Sequence, residues 1–159
     1  MLNNNVSKLI NEQINKEMFS AYLYLDMANY YINHGLNGFA HWFNKQAKEE
    51  MEHAFKFIEY LQDNGFEVTL EAIAKPSKTY KNYKEPLEES YKHEQFVTAS
   101  IHNIYAEAQK VSDFRTQEFL NWFVKEQMEE EKNATDLIIA FDMHNPAGLF
   151  ALDGKLGTR

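Results

Sequence analysis

Apolar residues return at steps of three, four and seven along four long stretches of this chain, the spacing of one buried helix face. Val6, Ile10, Ile14, Ala21, Tyr24, Ala28 and Tyr31 predict a first helix from about Asn5 to about His34. At roughly 28 residues and 1.5 Å per residue it would be ~42 Å long. Gly35 and Gly38 mark a tight connection. Phe39, Phe43, Ala47, Ala54, Phe57 and Leu61 predict a second helix from about Asn37 to Asn64, with Gly65 as its C-cap. Leu87, Tyr91, Ile101, Tyr105 and Ala108 predict a third, opened by Pro86 and ending near Val111. Ser112 and Asp113 supply a break and a new N-cap. Phe119, Phe123, Ala134, Leu137 and Phe141 predict a fourth helix from about Phe114 to His144, stopped by Asn145-Pro146. The tail Leu149-Phe150-Ala151-Leu152 has room for one or two further turns.

Between Phe66 and Glu85 the periodicity fades. A link of about 20 residues is long for a compact domain and long enough to run the length of a bundle. Short links invert chain direction, whereas this one can preserve it. With no strand-like alternation, the pattern predicts an all-α four-helix bundle, a single domain over residues 1–159. Its order is up, down, a crossover between helices two and three, then down and up, with a short fifth helix from the tail.

Each predicted helix interrupts its apolar stripe near mid-length with polar groups. These are Glu17, then Glu50 with His53, then Glu94, then Gln127 with Glu130. Residues three apart share a helix face, so Glu50 and His53 can reach one point, as can Gln127 and Glu130. In a packed bundle five ionisable side chains and one amide would converge in the core. An unpaired buried carboxylate costs several kcal/mol, and two divalent cations would remove that penalty. Oxygen donors with one imidazole suit iron, manganese or zinc, and open positions favour redox-active iron. The contrasting reading is a structural or interaction bundle whose charges face solvent. One Glu-x-x-His is weak support for a metal; one interruption in each of four helices is much stronger.

Composition narrows the classes. A formal charge of -8 argues against nucleic-acid partners and anionic membranes. The absence of cysteine excludes disulfides, thiolate zinc sites and iron–sulfur clusters. No apolar run approaches membrane-spanning length and Met1 to Asn5 does not open a signal peptide, so a cytoplasmic protein is expected.

Four stretches carry a resemblance: Asn11-Glu12-Gln13 with Glu17; Glu49-Glu50-Met51-Glu52-His53; Tyr91-Lys92-His93-Glu94-Gln95; and Phe119-Leu120-Asn121-Trp122-Phe123 followed by Glu126-Gln127-Met128-Glu129-Glu130-Glu131. Together they resemble the ferritin family over essentially the whole chain, most closely its bacterial non-haem branch. Ferritin-like di-iron carboxylate proteins are themselves the standing example of such a bundle site. The resemblance implies an iron-storage ferroxidase that oxidises Fe(II) with oxygen and keeps the mineral inside a homo-oligomeric shell of twenty-four subunits. It implies a first iron on Glu17, Glu50 and His53, with Glu50 bridging to a second on Glu94 and Glu130. Gln127 would sit beside the pair. A third iron would use Glu49, Glu126 and Glu129 and share Glu130.

Tyr24 lies two turns beyond Glu17, either as a hydrogen-bonding electron donor to the site or as a core tyrosine. Trp122 reads as packing. His93 is expected to face away from the site, Glu131 to lie on the surface, and His34, His41, His102 and His144 to fall near helix ends or surfaces. One departure matters. The generic di-iron bundle repeats Glu-x-x-His in both halves, whereas this chain has Gln127-x-x-Glu130. The bacterioferritin branch keeps the symmetric form and binds haem through a methionine, and Met51 falls at the corresponding place. The asymmetric half argues for the non-haem branch, and no haem is expected. A bacterioferritin-like or other di-iron oxidase without mineral storage is the alternative; a rubrerythrin would need cysteines.

Overall fold

The computed structural model of the protein describes residues 2–159. It contains five helices: α1 (Asn4–Asn33), α2 (Asn37–Asp63), α3 (Glu85–Lys110), α4 (Phe114–His144) and α5 (Leu149–Leu156). The described residues contain no strand. The predicted bounds hold to within a residue or two.

The chain ends its helices with backbone turns suited to the residues present. Leu36 N–H donates to Tyr31 O and Gly35 N–H to Ile32 O, at 3.0 and 3.1 Å. The same pair of bonds recurs after α2, at Gly65 and Phe66, and after α3, at Ser112 and Asp113. This motif places one residue in the left-handed region. Gly35 and Gly65 take it at φ 76° and 75°, while Ser112 must adopt φ 55° with a side chain. Asn3 caps the start of α1 and Asp113 the start of α4, each carboxamide or carboxylate oxygen accepting a backbone N–H two or three residues on.

The apolar core is split in two. One part joins Leu23, Met27 and Tyr31 of α1 to Phe39 and Phe43 of α2, Leu87 of α3, and Leu137 and Phe141 of α4. The other joins Val6, Ile10 and Ile14 of α1 to Phe57 and Leu61 of α2, Val97, Ile101 and Ile104 of α3, and Leu120 and Phe123 of α4. The first part therefore holds the C-terminal half of α1, the N-terminal halves of α2 and α3, and the C-terminal half of α4. The helices run up, down, down, up, as the long link requires. Residues 64–84 return along the outside of α1. Asn11 exchanges two 2.9 Å bonds with the backbone of Thr69, and Asn15 donates to Ala72 O. Further along, the Tyr31 hydroxyl donates to Tyr83 O at 2.7 Å.

The face of α3 differs from its predicted stripe. Ser90, Val97, Ser100 and Ile104 are buried, whereas Tyr91 and Tyr105 are only partly covered. Long aromatic side chains reach the rim of a helix interface, and small serines fill its centre without registering as hydrophobic. On α4, likewise, Leu120 is buried and Phe119 and Ala134 are half-buried.

Helix α5 closes the end of the bundle on the first core, with Leu152 and Leu156 buried. Asp153 Oδ1 accepts the Phe39 N–H at 2.9 Å, satisfying a donor at the start of α2. A Cβ on Gly38 would lie 1.6 Å from Asp153 O. Gly38 is thus a contact glycine inside α2, where the spacing had suggested a turn residue.

Candidate metal centre

Between the two apolar cores lies a polar band, one helical turn or so on each of the four long helices. Glu17, Glu50, Glu94 and Gln127 are each no more than 2% exposed, and His53 and Glu130 are 3% exposed. The local cause is the stripe itself: each residue occupies a core position of its helix, so packing the flanking Leu, Ile and Phe residues buries it.

Three overlapping groups could each hold a metal ion, with donor atoms within 4.8 Å of one another: Glu17, Glu50 and His53; Glu50, Glu94 and Glu130; and His53, Glu126 and Glu130. Glu50, His53 and Glu130 each belong to two groups, so the sites are contiguous. His53 Nδ1 lies 3.3 Å from Glu50 Oε2 and 4.0 Å from Glu17 Oε2, and its Nε2 lies 3.7 Å from Glu126 Oε1. The buried oxygens Glu17 Oε2 and Glu50 Oε1 have no hydrogen-bond partner. Buried acceptors of this kind are costly when unpaired, and cations between them would relieve the cost.

Amides orient the remaining oxygens. Gln13 donates to Glu17 Oε1 and Gln46 to Glu130 Oε2, both at 2.8 Å. Gln127 donates to Glu94 Oε2 at 3.0 Å, so its amide sits beside the centre. The Tyr24 hydroxyl donates to Glu94 Oε1. Tyr24 is therefore a core tyrosine that also hydrogen-bonds a carboxylate of the site.

Electrostatics record the crowding. Burial first, then the charges of Glu94 and Glu17, hold the Glu50 carboxyl well above the ordinary glutamate range. Burial pushes Glu94 up to about 7, against the opposing hydrogen bonds from Tyr24 and Gln127. Burial and the Glu94 charge push Glu130 up to about 7, opposed by the Gln46 amide. The Tyr24 phenol is raised by burial and by the same carboxylates. This is the signature of like charges sharing one dry site.

A family profile described as "Ferritin-like domain" matches residues 7–143. The chain belongs to the ferritin family. It is 36% identical over 160 residues to a "Probable bacterial non-heme ferritin-like protein" of Haemophilus influenzae, covering 99% of this chain and 97% of that one. It is 40% identical over 131 residues to the bacterial non-heme ferritin of Campylobacter jejuni, covering 82% of this chain and 78% of that one. Among solved structures, a novel open pore ferritin from the archaeon Archaeoglobus fulgidus superposes with a TM-score of 0.97 at 36% identity, covering 99% of this chain and 98% of that one.

Within this ferritin fold the other singled-out residues separate. Of the four glutamates assigned to a third site, Glu126 and Glu130 come together around His53. Glu129 is exposed, and Glu49 is bound by Arg159. Trp122 is 43% exposed and packs edge-on against His53, ring centroids 5.5 Å apart. Met51 is half-buried on an outer groove with Met18, Tyr22, Leu25 and Ile73. His93 points to α1, where its Nε2 lies 2.7 Å from Ser20 Oγ, and burial lowers its pKa to about 4. Glu131 is half-buried, and its charge contributes to raising Glu94. Gln13 and Gln46 carry no metal-ligand pattern, but each stands four residues before a stripe glutamate, one turn along the same face.

Proposed function

We infer that the chain is a subunit of an iron-storage ferritin that oxidises Fe(II) to Fe(III). In this reading the whole chain is one di-iron domain. Glu17, Glu50 and His53 bind one Fe(II), and Glu94 and Glu130 bind another with Glu50 shared. The observation that carries the reading is the set of contiguous buried Glu and His groups between two apolar cores, with two carboxylate oxygens left unpaired. Solved ferritins of the same fold support it.

The chemistry follows from the donors. Iron is the substrate. Carboxyls whose proton affinity is raised by burial, and then by one another's charge, give up protons as the cations arrive, and the resulting carboxylates stabilise the higher charge of Fe(III). Each Fe(II) yields one electron, so a pair supplies the two that reduce oxygen, with two protons, to peroxide. Gln127 remains neutral and holds Glu94, and the Tyr24 hydroxyl donates a hydrogen bond to the same carboxylate beside the pair. Glu126, Glu129, Glu49 and the shared Glu130 form a third iron position beside the pair. The product is held as mineral within a homo-oligomeric shell of twenty-four subunits in the cytoplasm. No described helix is long and apolar enough to cross a membrane.

Stopped-flow oxidation of Fe(II) in air tests the centre. Glu50→Ala and His53→Ala are expected to abolish the fast phase, and unchanged rates in both would refute the assignment. Storage is tested by mass in solution. Twenty-four copies of an 18.7 kDa chain form a particle of about 450 kDa, whereas a stable monomer encloses no cavity.

A further inference from the structure

The side chain of Arg159, three residues beyond α5, reaches across to α2 and occupies the carboxylate assigned to the third iron. Its Nη2 donates to Glu49 Oε1 and Oε2 at 3.2 and 3.0 Å and to Gln46 Oε1 at 2.5 Å. Its Nη1 donates to Trp42 O at 3.3 Å, and the guanidinium lies 4.0 Å from the centre of the Trp42 ring. The placement is built from below. Leu152 and Leu156 anchor α5, Asp153 holds the start of α2, and Gly38 allows the close approach.

The contact extends to the metal centre through one amide. A guanidinium has donors only, so Gln46 must present its oxygen to Arg159. Its NH2 is thereby aimed at Glu130, to which it donates at 2.8 Å. Arg159 thus sets which end of Gln46 faces a carboxylate shared by two of the metal-binding groups.

We propose that Arg159 is a tethered counter-cation of the third iron site. It holds Glu49 and orients Gln46 while that site is empty, and it must release Glu49 when a third divalent ion binds. The proposal rests on the reading of Glu49, Glu126, Glu129 and Glu130 as that site. Two physical facts make the two cations exclusive. Both oxygens of Glu49 are engaged by the same Nη2, and an ion coordinated there would bring a double positive charge to within a few ångströms of the guanidinium. The third position is therefore weakened by competition, which suits a place from which iron moves on. The tail and the third ion are antagonists.

The test uses the assembled protein and Zn(II), a redox-silent probe of the same donors. Calorimetric titration of the wild type is expected to show two tighter ions and a weaker third per chain, the third being lost in Glu49→Ala. In Arg159→Gln the third ion is expected to bind roughly tenfold more tightly, the scale of one charge-assisted contact, while the first two, which feel Arg159 only through Gln46 and Glu130, change by less. Arg159→Lys, which keeps the charge but not the fork, is expected to fall between. A second readout is Trp42 fluorescence in a Trp122→Phe background. It is expected to change at the third equivalent as the guanidinium leaves the ring, and to be unresponsive at that step in Arg159→Gln. A third ion that binds equally in wild type and Arg159→Gln would leave the site reading standing and overturn the role of Arg159. Binding of only two ions by every variant would overturn both. A Trp42 signal that is flat through the third equivalent would overturn the release step.

Discussion

Replacing Glu130 by glutamine is expected to stabilise the metal-free protein while disabling its chemistry, and the gain should depend on pH. Glu130 is 3% exposed and its pKa is raised from 4.5 to about 7. At 1.36 kcal/mol per tenfold change in proton affinity, ionising it in the fold costs about 3 kcal/mol. The sign follows from the folded value lying above the unfolded one. Below pH 4.5 the carboxyl is neutral in both states and costs nothing. Between pH 4.5 and 7 the unfolded chain ionises while the folded one resists, and stability falls. Above pH 7 the full cost is present. Glu130→Gln keeps an oxygen to accept from Gln46 and removes the charge. For a chain of this length the gain at pH 8 corresponds to a melting temperature roughly 6–12 °C higher, and to well under half of that at pH 5. Differential scanning calorimetry with chelator, at one protein concentration, compares variant and wild type on equal terms of assembly. Adding Zn(II) should reverse the order, because the wild-type carboxylate binds the ion and the amide does so poorly. A difference between variant and wild type that is the same at pH 5 and pH 8 would refute the reasoning. Glu94 is coupled to Glu130 by charge, so the double variant Glu94→Gln/Glu130→Gln should gain less than the sum of the two singles.

Three further outcomes follow from other parts of the molecule. Affinity for Zn(II) at the paired site should rise steeply from pH 5 to above 7, with protons released on binding, since Glu50, Glu94 and Glu130 must ionise; calorimetry in two buffers of different ionisation heat measures the protons directly. Ser112→Gly should raise stability by roughly 0.5–1 kcal/mol, because φ 55° strains any residue with a Cβ, and a thermal melt would show it as a higher midpoint. Gly38→Ala should displace α5, since its Cβ would meet Asp153 O at 1.6 Å, at a cost of about 1–3 kcal/mol; faster proteolysis of residues 145–159 would report it.

Much of the fold was legible because it depends on local periodicity. The stripes of α1 and α2 follow from spacing alone, and the missing apolar step in each helix pointed to Glu17, Glu50, Glu94 and Gln127 without any tertiary information. The long unpatterned link implied that α2 and α3 run parallel, and the split core shows that they do. Where the reading went astray, on Tyr91 and Tyr105, hydrophobicity was a poor guide to burial. Serines fit between closely packed helices, and tyrosines can lie across their edge.

The sequence by itself determined that polar groups would occupy four core positions, since helical spacing relates neighbours three and four apart. It did not determine how those groups are held. Gln46 and Glu130 are 84 residues apart, Tyr24 and Glu94 are 70 apart, and Arg159 and Glu49 are 110 apart. A hydrogen bond between such residues leaves no periodic trace, because it exists only when two helices, or a helix and the tail, have packed. The tertiary structure alone decided that Gly38 is a seat for α5, that Tyr24 touches the site from within the core, and that Arg159 lies on Glu49.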